Sequence, residues 1–241
     1  MKGVIIAAGL GGRLRPLTLG SPKILLEVGG RPLGYYVVDA LYSSGVSEVA
    51  VVVGYRADTV VEALRERSPD LAFRYNEDYE GGTALSVYAA RDFVQDEPFV
   101  LCMGDHPIAP ERVGSLLLDE HEGSILCVDT EPSHLSQMSD ATKVVVDDDG
   151  WVEAIGKDLQ VWNAVDTGVF KMTSGVFTTM ESLTDRLGLQ VTITDVVRSV
   201  GEGGLPFRAC DVGGMLWADV DTPEDYLSVD ALLREAYGER V

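Results

Sequence analysis

Short apolar, β-branched runs alternate with amphipathic segments through the first half of the chain, and that alternation sets the fold. Residues 3–8, 48–53, 71–75, 99–103 and 125–129 read as strands. Residues 33–43, 57–66, 83–93 and 110–121 read as helices between them. Val60, Val61 and Leu64 recur at the spacing of one helical face, and Pro110 suits the first turn of its helix. Strands that are apolar throughout and separated by helices belong to a parallel sheet covered on both faces. The second half changes character. Residues 142–146 and 152–155 flank Asp147-Asp148-Asp149-Gly150 and predict a hairpin closed by a tight turn. Residues 165–172, 207–210 and 215–220 read as strands, 174–183 and 194–200 as helices. Thr222-Pro223-Glu224-Asp225 opens a last helix, expected to run to about residue 237, with a hydroxyl cap, a proline in first position and acids in the first turn. The expected architecture is α/β: a doubly wound, mixed but mostly parallel sheet, with a small lid region from the later part of the chain. At 241 residues the chain suits one domain with a core large enough to fold alone.

Thirty-nine acidic residues against 19 basic ones leave a net charge of −20. That balance argues against a nucleic-acid partner, which needs a basic patch for its phosphates. It equally disfavours an anionic membrane surface. Apolar runs such as 49–53 are too short to span a bilayer, and the apolar N-terminus breaks into glycine and arginine too early for a signal peptide. Cys102, Cys127 and Cys210 lie far apart in apolar stretches with no Cys-x-x-Cys pair, so buried reduced thiols in a cytoplasmic protein are expected. Lysine is scarce: Lys2, Lys23, Lys143, Lys157 and Lys171 are the full set. Lys2 and Lys171 read as surface residues, and His121 and His134 carry no signal.

Directly after the first strand comes Ala7-Ala8-Gly9-Leu10-Gly11-Gly12-Arg13-Leu14-Arg15-Pro16-Leu17-Thr18, then Ser21-Pro22-Lys23-Ile24-Leu25-Leu26. Glycines in that position let backbone N–H groups approach a phosphate, and Arg13 and Lys23 add charge. The dinucleotide-binding pattern fails, because Gly9-x-Gly11 is followed by Leu14 where a small residue is required. The P-loop fails for want of its terminal Gly-Lys-Ser/Thr. The two linked motifs resemble instead those of the sugar-nucleotidyltransferase superfamily. The resemblance continues through Gly104-Asp105, Asp166-Thr167-Gly168 and Trp217-Ala218-Asp219-Val220-Asp221-Thr222-Pro223-Glu224-Asp225. Within that superfamily, three stretches are similar to the inositol-1-phosphate cytidylyltransferases of di-myo-inositol phosphate synthesis, a route to an osmolyte. They are Met103-Gly104-Asp105-His106, Ala141-Thr142-Lys143-Val144, and Ile155-Gly156-Lys157-Asp158-Leu159 with Trp162-Asn163-Ala164-Val165-Asp166-Thr167-Gly168.

The resemblance implies a Rossmann-like sheet of the nucleotide-diphospho-sugar transferase type. Residues 1–241 would form a single nucleotidyltransferase domain, with about 1–130 binding the nucleotide and about 131–241 the acceptor and lid. It implies Mg²⁺ held by Asp105 and Asp219. Two anionic reactants in so acidic a chain need local neutralisation, and Mg²⁺ on one or two carboxylates provides it. Asp105 follows a strand, where ligands bind in parallel sheets. Asp219 and Asp221 are two apart on an expected strand and so share a face. Asp221 reads equally as a metal ligand or as a cap of the following helix.

Arg13 and Lys23 are expected on the nucleotide phosphates, acting with Asp105 through position and charge. Ala7, Ala8 and Gly9 are expected to line the base pocket, with Gly11 and Gly12 in the phosphate loop. Asn76, Gly82, Thr83 and Ser86 fall where the family reads the base edge, although Thr83 also reads as a helix cap. Lys157 and Lys143 are candidates for the acceptor phosphate, or solvated lysines at strand ends. Asp166 and Thr167 suit acceptor hydroxyls, or a β-bulge with a satisfied carboxylate. Trp162 reads equally as a wall of that pocket or as core. His106, beside Asp105, reads either as a catalytic histidine or as a residue without a role, since no general base is required when a phosphate is the nucleophile.

The implied reaction is transfer of CMP from CTP to inositol 1-phosphate, giving CDP-inositol and pyrophosphate. The residues leave open another acceptor, a sugar 1-phosphate or phosphocholine-like group, with CTP, UTP or dTTP. They also leave open a non-catalytic nucleotide-sensing subunit. The expected partners are these small molecules, with a homo-oligomer open. Because the last residue is Val241 and no apolar span precedes it, the chain reads as a stand-alone enzyme or one part of a longer protein.

Overall fold

The computed structural model describes residues 1–132 and 140–238, and only the backbone of Arg15 and Pro16. His134 lies outside the described residues. Strands β1 (Lys2–Ile6), β4 (Glu48–Val53), β5 (Ala72–Tyr75) and β6 (Phe99–Met103) form a parallel block in the order β6-β1-β4-β5. Between β1 and β4 a short antiparallel ribbon joins β2 (Glu27–Val28) to β3 (Arg31–Pro32). Beyond β6 lie β7 (Ile125–Asp129), the hairpin β8 (Lys143–Val146) and β9 (Val152–Gly156), the long β10 (Ala164–Met172) and β11 (Arg208–Asp211). β10 runs antiparallel to β6, β7 and β8, while β11 is parallel to β7. The sheet is therefore mixed and mostly parallel, as the alternation predicts.

The unbroken apolar runs are explained by burial on both faces. Val4 and Val52 enter one core, with Ala84, Val87, Phe177 and Val196 from the helices above them. Ile5, Val51 and Val53 enter the opposite core, with Val37, Leu41, Val60 and Leu116. Alternate residues of one strand thus feed two separate cores, which is the strand period at work. A third core seats Val229 and Leu233 of the last helix against Val28, Leu33 and Leu14. That helix spans Pro223–Tyr237, and Thr222 caps it reciprocally with Asp225. No helix of the described residues is long and apolar enough to cross a membrane.

Several expectations are corrected. Residues 83–93 form two short helices, Thr83–Tyr88 and Arg91–Val94, separated by Ala89 and Ala90. Residues 215–220 form no strand; Trp217 makes a lone bridge to Ile108. Their apolar members are buried by another route: Trp217 joins the second core, and Ala218 and Val220 join the third. The fully buried Arg112 holds this strap by donating to the carbonyls of Met215 at 2.6 Å and Val212 at 3.3 Å. Lys2 and Lys171 are buried, not surface residues. Lys2 Nζ lies 2.8 Å from Glu97, and Lys171 Nζ donates to the carbonyl of His121 at 2.5 Å. The cysteines are free as expected, but Cys127 and Cys210 are register partners across β7 and β11.

Strand order fixes where a ligand can bind. The chain steps outward from β1 to β4 and β5, then returns to place β6 on the other side of β1. Connections leaving β1 and β6 diverge at their carboxyl ends and open a crevice there. The glycine-rich loop follows β1, and Gly104-Asp105-His106 follows β6.

Candidate active site

Two connected chambers occupy that crevice, sharing Asp105 and Asp221. The first, about 430 Å³, is lined by Ala7, Gly9, Gly11, Gly12, Arg13 and Lys23 among others. The second, about 520 Å³, includes Thr83, His106, Lys157, Asp166, Arg198 and Asp219.

Lys23 is the hub. It is only 8% exposed, and its Nζ lies 2.6 Å from Asp105 Oδ2, 2.6 Å from Asp221 Oδ1 and 3.8 Å from Asp219 Oδ1. Burial works against its charge, but the surrounding Asp105, Asp219 and Asp221 outweigh burial and hold its pKa well above the ordinary value. Arg13 reaches the same cluster, pairing with Asp221 and with Asp140. Asp140 also pairs with Lys157 at 3.3 Å, so one carboxylate bridges a cation from each wall. His106 Nε2 stands 3.4 Å from Asp219 Oδ1 and 3.7 Å from Asp105 Oδ1. Burial opposes its charge, yet Asp219 and Asp105 push its pKa up to about 10. Burial would raise Asp219, but His106 and Lys23 hold it below the usual carboxylate range. Burial and the neighbouring Asp219 push Asp221 the other way.

A divalent cation fits this donor set. Asp105, His106 and Asp219 each offer one atom, all within 4.8 Å of one another. Asp219 Oδ1 is buried and has no hydrogen-bond partner among the described residues. A buried anionic oxygen held only by the longer ion pairs to His106 and Lys23, beside a second carboxylate, is what a hard cation relieves. Asp221 does not cap the last helix, a role that Thr222 takes; its side chain goes to Lys23 and Arg13.

Other expected site residues separate into two groups. Ala7, Gly9, Gly11 and Gly12 line the first chamber, and Lys157 and Asp166 line the second. Asp166 sits where β10 shifts register, its Oδ1 accepting from Gly168 N–H at 2.8 Å, so it is at once a bulge residue and a cleft residue. The rest turn inward or sideways. Ala8 is buried, and its carbonyl accepts from Tyr55 N–H. Asn76 and Ser86 are buried against each other, with Nδ2 donating to Oγ at 3.0 Å. Gly82 packs so closely on Val191 that a Cβ would overlap its carbonyl. Thr83 caps no helix of its own; its hydroxyl accepts from Ile193 N–H at 3.1 Å while it lines the second chamber. Lys143 donates to the carbonyl of Lys157 at 2.7 Å and buttresses that residue from outside the chamber. Thr167 is fully buried and donates to Cys127 O at 2.9 Å, and Trp162 packs on the second core.

Asp140 and Arg198, which no sequence motif singles out, line the second chamber together with His106. Arg198 Nε donates to Ile155 O at 2.7 Å, leaving the guanidinium at the chamber wall. Its only sequence signal is a place on the polar face of the helix Ile193–Glu202.

Burial pushes the Asp166 carboxyl up to about 6, against the bond from Gly168. Its charged form is therefore disfavoured on folding. The stability it contributes is full below about pH 4 and is lost as pH rises through 6. Asp166→Asn removes that titration and should gain up to about 3 kcal/mol over wild type as pH goes from about 4 to 7. Denaturant titrations across that range check it; identical pH slopes in the two proteins overturn it.

A doubly wound sheet with a glycine-lined, cation-bearing cleft at its switch point defines a nucleotide-handling α/β protein. The chain belongs to the family of MobA-like NTP transferase domains, which it matches over residues 3–196. It is 35% identical over 93% of its length to a bifunctional IPC transferase and DIPP synthase of Archaeoglobus fulgidus, covering 42% of that protein. It is 34% identical over 92% of its length to the protein of the same name in Rubrobacter xylanophilus, covering 49%. The chain thus spans about half the length of these relatives. The solved structure of the inositol-1-phosphate CTP transferase from T. maritima superposes with a TM-score of 0.86 at 26% identity, over 97% of this chain and 96% of that one. The fold is accordingly the Rossmann-like nucleotide-diphospho-sugar transferase type.

Proposed function

We propose that the chain transfers CMP from CTP to inositol 1-phosphate, releasing pyrophosphate and forming CDP-inositol. The observation that carries this reading is the near-complete superposition on an inositol-1-phosphate CTP transferase. The cleft supports it with cations on both sides of a carboxylate cluster. The nucleotide binds in the first chamber, where Arg13 and Lys23 meet the β- and γ-phosphates. The acceptor phosphate lies between Lys157 and Arg198 in the second chamber, and Asp166 faces the polyol hydroxyls. An acceptor oxygen attacks the α-phosphorus in line, and pyrophosphate leaves toward Arg13 and Lys23. Phosphate is already ionised, so no residue need remove a proton. Catalysis is then positioning and charge neutralisation. Asp105 and Asp219 would hold Mg²⁺, which supplies neutralisation of the triphosphate when bound. Within one domain, about residues 1–130 serve mainly the nucleotide and about 131–241 mainly the acceptor, although Thr83 and His106 reach the second chamber and Asp221 the first. Three free thiols support a cytoplasmic site of action.

The test is pyrophosphate release by purified protein with Mg²⁺, using CTP, UTP and dTTP each against inositol 1-phosphate, a hexose 1-phosphate and phosphocholine. CTP with inositol 1-phosphate should exceed every other pair. Another pair exceeding it reassigns the substrate, and no release above background with any pair rejects the enzyme.

A further inference from the structure

We propose that His106 is itself a ligand of the cleft cation, completing a set with Asp105 and Asp219, and that its nitrogen tilts the site toward Mn²⁺ over Mg²⁺. The proposal deepens the reading of the cleft as metal-dependent, but its test needs neither CTP nor an acceptor.

The ring is held at both ends. Nδ1 lies 3.2 Å from the carbonyl of Thr167, which accepts from an N–H there. That bond directs Nε2 at Asp219 Oδ1 and Asp105 Oδ1, 3.4 and 3.7 Å away, where the cation takes the place of the Nε2 proton and releases it to solvent. A ring nitrogen anchored on a backbone carbonyl, with its other nitrogen turned to carboxylates, is the arrangement metal-binding histidines adopt. β10 is bent to allow it. Gly168 takes φ +76°, and a Cβ on it would stand 2.5 Å from His106 Nδ1. The bulge at Asp166–Phe170 therefore clears the ring's seat.

Oxygen allocation points the same way. Asp105 commits Oδ2 to Lys23 and leaves Oδ1 toward His106. Asp221 is taken up by Lys23 and Arg13. Asp219 Oδ1, facing Nε2, has no hydrogen-bond partner among the described residues. A cation about 2.1 Å from each ligand sets neighbouring donor atoms about 3 Å apart, so the donors here, 3.4 and 3.7 Å from Nε2 and all within 4.8 Å of one another, close inward on binding. Carboxylates alone suit Mg²⁺, whereas imidazole moves preference up the transition series.

Metal-stripped protein is titrated with Mn²⁺ and with Mg²⁺ by calorimetry, alone and with inorganic pyrophosphate. The Mn²⁺-loaded protein is then examined by electron spin-echo envelope modulation for a directly bound nitrogen. Wild type should bind Mn²⁺ at least about tenfold tighter than Mg²⁺ and show the ¹⁴N modulation. His106→Gln should lose that modulation and most of the Mn²⁺ preference, with Mg²⁺ binding changed less than about threefold. Circular dichroism checks that the variant folds, and the wild-type spectrum stands if it does not. Mn²⁺-loaded wild type without ¹⁴N modulation, an unchanged preference in His106→Gln, or no metal uptake under either condition overturns the proposal. A modulation present in a protein that transfers no CMP would overturn the functional reading alone.

Discussion

Lys23→Ala should lower the rate of pyrophosphate release by about 10²–10³, the loss of about 3–4 kcal/mol that follows removal of one preorganised charge contact. Lys23 is almost wholly buried, and its ammonium touches Asp105 and Asp221 while facing Asp219. Its removal takes from the triphosphate a cation that is already fixed in place, so no reorganisation offsets the loss. It also leaves three carboxylates with less positive charge among them. Attraction for a divalent cation should therefore rise while turnover falls. This opposition separates an electrostatic role from a structural one, because local collapse would weaken both. Pyrophosphate release at saturating CTP, with Mn²⁺ calorimetry on the same preparation, gives the answer. A rate within tenfold of wild type, or weaker metal binding in a folded variant, removes Lys23 from its assigned role.

Gly82→Ala should destabilise the chain by more than about 3 kcal/mol, at the upper end of what overpacking costs. The backbone angle is ordinary, φ −69°, so the penalty comes from space. Gly82 N–H donates to Leu189 O at 2.8 Å, and Ala84 N–H donates to Val191 O at 3.2 Å. The added methyl would meet the carbonyl of Val191, a backbone group with nowhere to go. Relief means pushing apart the starts of two helices, Thr83–Tyr88 and Ile193–Glu202, and the second carries Arg198. Thermal unfolding should therefore begin several degrees lower, by about 2–4 °C per kcal/mol for a chain of this size. An unchanged Tm with a raised KM for CTP would instead restore Gly82 to the base pocket.

That second case marks where sequence reading stops. The strands at 48–53, 99–103 and 125–129 and the helix at 33–43 were legible to the residue. Each is an apolar run cut off by polar residues, glycine or proline, so pattern and packing agree. Placement after strands pointed to Arg13, Lys23 and Asp105, but that they meet Asp219 and Asp221 was legible only through resemblance, since up to 208 positions separate residues that pair in this cluster. Polar residues show their protein partners only in the structure. Asn76 and Ser86 bond each other, Thr167 bonds Cys127, and Lys143 bonds the backbone at Lys157. Residue type does not say where a donor's partner lies. Residues 215–220 alternate like a strand, yet two different cores and the buried Arg112 absorb them. His106 closes the stretch Met103-Gly104-Asp105-His106, but its seat was not legible, because the glycine that makes room for it sits on another strand.

The Arg13–Asp140–Lys157 bridge, together with Lys23 on Asp105 and Asp221, means that Arg13, Lys23 and Lys157 each hold a carboxylate of the chain itself. In the proposed reaction the cleft would work as an anion exchanger. An entering phosphate swaps places with a tethered carboxylate, so only the difference between two attractions appears as affinity. In that reaction the same tethers would return as pyrophosphate departs, easing release of a product that bare cations would retain. An acidic protein can in this way handle highly charged reactants in both directions of its cycle without holding either of them too tightly.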